Sequence, residues 1–352
     1  MAKDRGITGA APPRWRGSAA HAGPPRGRRI TTPRTGAEPG QPARRKRGPL
    51  GKPRLLIIGC GDIGARIVAR LAPRFRIFGL GASGARAPAL RAAGAVPLTA
   101  DLDAPLRAAT WRRLRGLAGY VMHLAPSPGG GAGDPRTRRV LAALAAPAGA
   151  PYAFVYVSTT GVYGDRGGAW IDETAPARPG TARARRRLDA EQRARRASWH
   201  AAVLRAPGIY AADRLPLERL RRGLPALAAD ADVYTNHIHA EDLARLCIAA
   251  LARGARGRLY NAVDASCIKM GDFLDLVART QHLPPPPRAA AAAVQQAVSP
   301  AMWTFMSESR RIRGRRIGTE LRTRLLFPTV GDGLRAAAAA MAAAPDDRES
   351  GP

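Results

Sequence analysis

Short apolar runs alternate along this chain with stretches whose apolar residues recur every three or four positions, from Arg54 to about residue 205. The runs at 54–58, 75–80, 95–98, 119–124, 152–158 and 201–205 are the length of buried strands. After the first of them Ile63, Ile67 and Leu71 fall on one helical face. Strands alternating with helices in this way predict an α/β chain with a doubly wound parallel sheet. Beyond residue 205, 224–232 reads as loop, 240–252 as helix and 259–263 as a further strand. Met270 to Thr280 reads as a helix ended by the prolines at 284–287, and 289–297 as an alanine-rich helix. A basic segment spans 307–324, its arginine run 310–316 read as a surface strand and turn, and from Leu334 the chain turns alanine-rich, then polar, and should fray.

The first run, Arg54-Leu55-Leu56-Ile57-Ile58, leads directly into Gly59-Cys60-Gly61-Asp62-Ile63-Gly64. This G-x-G-x-x-G between a strand and a helix is the context in which the motif signals dinucleotide binding. Gly59 permits the tight turn, Gly61 lets a pyrophosphate approach the backbone, and Gly64 lets helix and strand pack closely. The helix N-terminus then faces the phosphates. NAD-binding chains carry an acidic residue about 20 residues further on, for the ribose 2′-hydroxyl. Here no carboxylate occurs from Ala65 to Ala100, and Ser83 and Arg86 follow the second strand instead. A guanidinium pairs well with a 2′-phosphate, so the reading favours NADP, with NAD as the alternative.

The net charge of +31 would ordinarily raise nucleic acid as a partner. Only four of the 57 basic residues are lysine, a skew shared by the whole chain and consistent with GC-rich coding. Residues 1–53 hold 13 basic and 2 acidic residues and almost no large aliphatics, so they should be a disordered basic tail. The remaining charge is not interleaved with aromatics as a stacking platform requires, so nucleic-acid binding is not expected of the folded part. The three cysteines, Cys60, Cys247 and Cys267, are too few and too widely spaced for a disulfide framework or a metal site. With no run of 18 apolar residues and no signal-peptide core, the expectation is a soluble cytoplasmic protein without a membrane partner.

Further segments carry a resemblance. Strand five leads into Ser158-Thr159-Thr160-Gly161-Val162-Tyr163-Gly164, followed by Asp172-Glu173 and Pro176. Asp101-Leu102, His123-Leu124-Ala125-Pro126, Leu204-Arg205 with Tyr210, His237-Ile238-His239 and Tyr260-Asn261 follow in order. Together these resemble the extended short-chain dehydrogenases/reductases, the NAD-dependent epimerase/dehydratase family, over roughly residues 54–335. The resemblance implies a Rossmann domain over 54–205, whose core also receives 236–263, a small α/β substrate lobe over 206–335, and a disordered tail over 336–352. It implies that Gly59, Cys60, Gly61, Asp62, Ile63 and Gly64, with Ser83, Arg86, Asp101, Leu102, Leu124, Ala125 and Pro126, bind the cofactor. Thr159 takes the family's catalytic hydroxyl position.

One departure stands out. The family uses Y-x-x-x-K, a tyrosine acid/base tuned by a lysine. Counting from Glu191 in Arg187-Leu188-Asp189-Ala190-Glu191, these positions hold Arg183 and Arg187. Arginine carries no proton titratable near neutrality, so Arg183 cannot serve as acid/base. Arg187 can still place positive charge near a ribose, and Tyr163 is a candidate substitute acid. The expected function is therefore an NAD(P)-dependent oxidoreductase or epimerase acting on a small molecule with altered acid/base residues. The alternative is an NADP-binding redox sensor or regulatory protein without catalysis. A monomer and a homodimer are both compatible with the sequence.

Overall fold

The computed structural model describes residues 51–105, 109–145, 150–197 and 199–342. The expected tails fall outside these, apart from 51–53 and 336–342. Seven parallel strands form the central sheet: β1 (Arg54–Ile58), β2 (Arg76–Gly81), β3 (Ala95–Thr99), β4 (Tyr120–His123), β5 (Ala153–Thr159), β6 (His200–Ala206) and β7 (Leu259–Asn261). Their spatial order is 3-2-1-4-5-6-7, so the chain winds outward from β1 in both directions. Ligand crevices in such sheets open at the carboxyl ends of the strands where the order reverses, here between β1 and β4.

Both faces of β1 are buried, which is why it reads as a continuous apolar run. Leu55 and Ile57 join one core with Ile67, Val68 and Leu71 of α1 (Asp62–Leu71). Leu243, Leu246 and Leu251 of the helix Ala240–Arg253 complete that layer. Leu56 and Ile58 face the second core, with Trp111, Val140, Leu144, Ala190 and Ala194 from the helices Ala109–Leu114, Pro135–Leu144 and Ala182–Arg196. Pairing runs Ile58 to His123 and Thr159 to Ala206, which aligns the strand ends along one edge.

The remaining chain differs from the expected pattern mainly in short pairings. Ala226–Leu227, within the stretch expected as loop, pairs in parallel with Arg288–Ala289, so the alanine-rich helix starts at Ala291 rather than 289. Prolines 284–287 hold the preceding backbone extended and deliver it to that pairing. In the basic segment, Arg311–Ile312 pairs with Trp170–Ile171, and Arg315–Thr319 is helical. The alanine-rich end is a helix from Val330 to Ala342 and so continues past residue 336, as alanine's high helix propensity favours. Among the described residues no helix is long and apolar enough to cross a membrane.

Candidate functional site

The loop after β1 is set by its glycines. Gly59 has φ +81°, and a Cβ there would lie 2.4 Å from the backbone nitrogen of Ala125. Both Gly59 and Cys60 donate their N–H to the Leu80 carbonyl, fastening the loop to β2. A Cβ on Gly61 would meet nothing within 4 Å, whereas one on Gly64 would sit 2.8 Å from the Cys60 sulfur. Gly61 therefore faces open space at the start of α1, and Gly64 is required by packing.

Two cavities meet at this loop, sharing Gly59, Gly61 and Pro126. The first, about 370 Å³, is lined by Cys60, Ser83, Arg86, Asp101, Leu102 and Ala125. Burial pushes the Cys60 thiol up to about 11, against the opposing charge of Arg86 nearby, so the thiol is protonated and packs as a small residue. Arg136, not singled out from the sequence, also lines this cavity; it pairs with Asp103 at 2.6 Å and donates to the Pro126 carbonyl. Its signal in the sequence is only the Asp134-Pro135 helix start beside it.

The second cavity, about 280 Å³, is lined by Asp62, Ile63, Leu124, Ser158, Thr159, Arg183, Arg187 and Arg214. Thr159 ends β5, and its Oγ1 accepts the Gly161 N–H at 3.2 Å, leaving its own proton available. The Ser158 hydroxyl is buried and has no partner among the described residues. Arg187 is buried, its Nη1 donating to the Ala125 carbonyl, the Tyr156 hydroxyl at 2.9 Å and the Val157 carbonyl. Asp62 is paired with Arg66 at 2.9 Å and Arg214 at 2.8 Å, which neutralises a carboxylate at the mouth of the loop.

Of the residues picked out in the sequence, two lie outside the cavities. Gly64 is beneath α1, as described. Tyr163 is fully buried, its hydroxyl donating to Asn261 Oδ1 at 2.8 Å and lying 3.2 Å from the Asp172 carbonyl. Burial raises its pKa above the usual range. The structure places Tyr163 away from both cavities: the turn at Thr160–Tyr163 aims its ring into the core, under the Arg205 guanidinium 4.5 Å away.

Other candidates are structural. His239 Nδ1 accepts the Glu241 N–H and caps the helix Ala240–Arg253, and Tyr210 donates to the Thr329 carbonyl. His237 is stacked on Phe273, and burial lowers its pKa to about 3. His123, at the end of β4, lies 3.0 Å from Thr137 Oγ1, which donates to Asp134; burial pushes this imidazole down to about 3 as well. Glu173 accepts the N–H groups of both Asn261 and Arg316. Nothing in the residue pattern marks Glu191 and Arg205 as the buried ion pair they form at 2.6 Å, joining the helix Ala182–Arg196 to β6. Among the described residues there is no group of three or more His, Cys, Asp or Glu able to hold a metal ion.

No family model matches the chain, and no curated protein does. Solved structures do. A functionally unknown conserved protein from Silicibacter pomeroyi is 32% identical, with 82% of this chain and 99% of that one covered, at a TM-score of 0.71. A protein proposed as an NAD-dependent epimerase/dehydratase, from Methylobacillus flagellatus, is 25% identical over 83% of this chain and all of that one, at 0.63. The chain shares the fold of NAD-dependent epimerase/dehydratase structures and resembles the extended short-chain dehydrogenases/reductases. A human epimerase family protein solved with NADPH shares the fold at 20% identity, with 81% of this chain and 99% of that one covered and a TM-score of 0.59. The two cavities lie where the β1 loop and the ends of β4, β5 and β6 converge.

Proposed function

We propose that this protein binds NADP in an extended conformation across both cavities and transfers hydride to or from a small molecule held beside Thr159. The observation that carries this reading is the continuity of the cleft over Gly59 and Gly61, from Ser83 and Arg86 at one end to Thr159 and Arg187 at the other. The residues fit the cofactor. Room over Gly61 and the N-terminus of α1 suit a pyrophosphate. Asp101 and Leu102 border the adenine end, and Arg86 with Ser83 suits a 2′-phosphate. The nicotinamide, when bound, supplies the hydride chemistry.

The chain's own residues then position and polarise. Thr159 donates its free proton to a substrate carbonyl or hydroxyl oxygen, and Arg187 holds the cofactor's ribose end through its charge. Arg183 stands at the acid/base position but transfers no proton near neutrality. A missing general acid slows such chemistry by about 10²–10⁴-fold without forbidding it. The three hydrogen bonds that fix Arg187 equally suit a second reading, a cofactor-loaded sensor without turnover.

Titrating the full chain with NADPH and NADH, then following absorbance at the nicotinamide band against nucleotide sugars, aldehydes and quinones, tests both. Binding of NADPH in preference to NADH, weakened in Arg86→Ala, is expected. Turnover lost in Thr159→Val supports the enzyme, and tight binding without turnover supports the sensor. Failure to bind either nucleotide refutes the proposal.

A further inference from the structure

We propose that the substrate carries an acidic group, a carboxylate or phosphate, which docks on Arg183 with the reacting carbon beside Thr159. This rests on the reading of the cleft as a dinucleotide site and adds the substrate's charge class to it. Arg183 borders the second cavity and also a small adjoining one, about 30 Å³, lined by Thr159, Thr181, Phe305 and Glu308. Its guanidinium stands 5.3 Å from the Phe305 ring centroid. Among the described residues no carboxylate lies within salt-bridge distance of Arg183 or of Arg187, one helical turn away.

Arg187 is buried and Arg183 stands exposed at the cavity rim one turn away; like charges four residues apart on a helix repel, and the buried one has no compensating carboxylate. The carboxylates near enough to help are committed elsewhere. Glu308 pairs with Arg310 at 2.7 Å, Asp62 with Arg66 and Arg214, and Glu191 with Arg205. The dinucleotide's phosphates are served at Gly61 and Arg86, and Arg86 lies in the other cavity. What remains is positive charge without a counter-ion, beside the unpartnered Ser158 hydroxyl and the free proton of Thr159. A planar guanidinium fork backed by an aromatic ring matches the two oxygens of a carboxylate or phosphate. Arg183, at the position of the family's tyrosine, therefore recognises charge where that tyrosine would move a proton.

The test is calorimetric titration of the full chain, saturated with NADPH, using malonate, inorganic phosphate and uncharged malonamide. Malonate or phosphate is expected to bind, and malonamide not. Arg183→Met should weaken the anion by about tenfold or more, as expected for lost hydrogen bonds to a charged group. In that variant NADPH affinity and thermal midpoint should stay near wild type, and exposed Arg222→Ala should change nothing. Preference for malonate assigns a carboxylate, and preference for phosphate a phosphoryl group. Anions binding no better than malonamide, unchanged affinity in Arg183→Met, or an equal loss of NADPH in that variant overturns the proposal. Failure of wild-type protein to bind NADPH would count against the dinucleotide reading instead, and the same titration of nucleotide-free protein still tests Arg183.

Discussion

Alanine at each of the three loop glycines should yield three different proteins. At Gly61 the new methyl meets nothing within 4 Å, and the site is not in the left-handed region. Trimming unfolded-state freedom at such a site stabilises by about 0.4–1 kcal/mol, so Gly61→Ala should unfold at wild-type or slightly higher urea. The same methyl occupies the space a pyrophosphate needs. Losing two N–H donors to a charged group, at roughly 1.5–3 kcal/mol each, predicts an NADPH affinity lower by about 10²-fold or more. At Gly59 the backbone has φ +81° and the methyl would lie 2.4 Å from the Ala125 nitrogen. Left-handed strain of about 1–2 kcal/mol and overpacking of about 1–3 kcal/mol then predict a loss of about 2–5 kcal/mol. Gly64→Ala, against the Cys60 sulfur at 2.8 Å, should lose about 1–3 kcal/mol by overpacking alone. Urea unfolding measures the stabilities, and quenching or enhancement of NADPH fluorescence measures binding. Wild-type NADPH affinity in Gly61→Ala would refute the placement of the pyrophosphate.

Three further outcomes follow from the packing. Glu191→Gln strands Arg205 in the core, which should cost about 3–5 kcal/mol in urea unfolding, while the Glu191→Met/Arg205→Met double variant recovers much of it; a single-variant loss below about 1 kcal/mol contradicts the buried pair. Tyr163→Phe leaves Asn261 Oδ1 without its donor and should lower stability by about 1–3 kcal/mol with NADPH affinity unchanged. A fall in nucleotide affinity at unchanged stability would return Tyr163 to the site. His123 and His237, depressed to about 3, stay neutral in the fold while the unfolded chain protonates below about 6.5, so each withdraws stability as pH falls from 6.5 toward 3. Asp264, raised by burial to about 7, acts oppositely: it favours the fold at low pH, and that contribution is lost as pH rises from 3.8 through 7. Asp264→Asn should therefore gain stability on wild type as pH rises from 4 to 7. A pH-independent difference between the two in thermal melts would disprove that role.

The sheet was legible because its strands are buried on both faces and bounded by helical periodicity; β1 to β6 fall within a residue or two of their apolar runs. The glycine loop was legible because each glycine answers a separate local constraint. The rest of the chain was harder to read, since its pairings are two or three residues long and join segments far apart, as Trp170 with Arg311 and Ala226 with Arg288. No periodicity marks such pairs. Closeness in sequence does not place Tyr163 beside Thr159, since the intervening helical turn directs its hydroxyl into the core. Arginine's abundance hid the difference between solvated cations and the buried Arg187 and Arg205, which only their surroundings distinguish.

The contact of Gly59 with Ala125 has an evolutionary consequence. Main chain meets main chain there, so the width of the cleft floor is set by two small residues 66 positions apart and not by any adjustable side chain. A side chain at Gly59 collides with the Ala125 backbone, which repacking of side chains cannot relieve. A saturation library selected for NADPH binding should be intolerant at Gly59, as at Gly61, Arg86 and Arg187, and tolerant at Arg183, which the nucleotide does not require. Lineages of this chain can then change what they recognise at the rim while inheriting the floor unaltered.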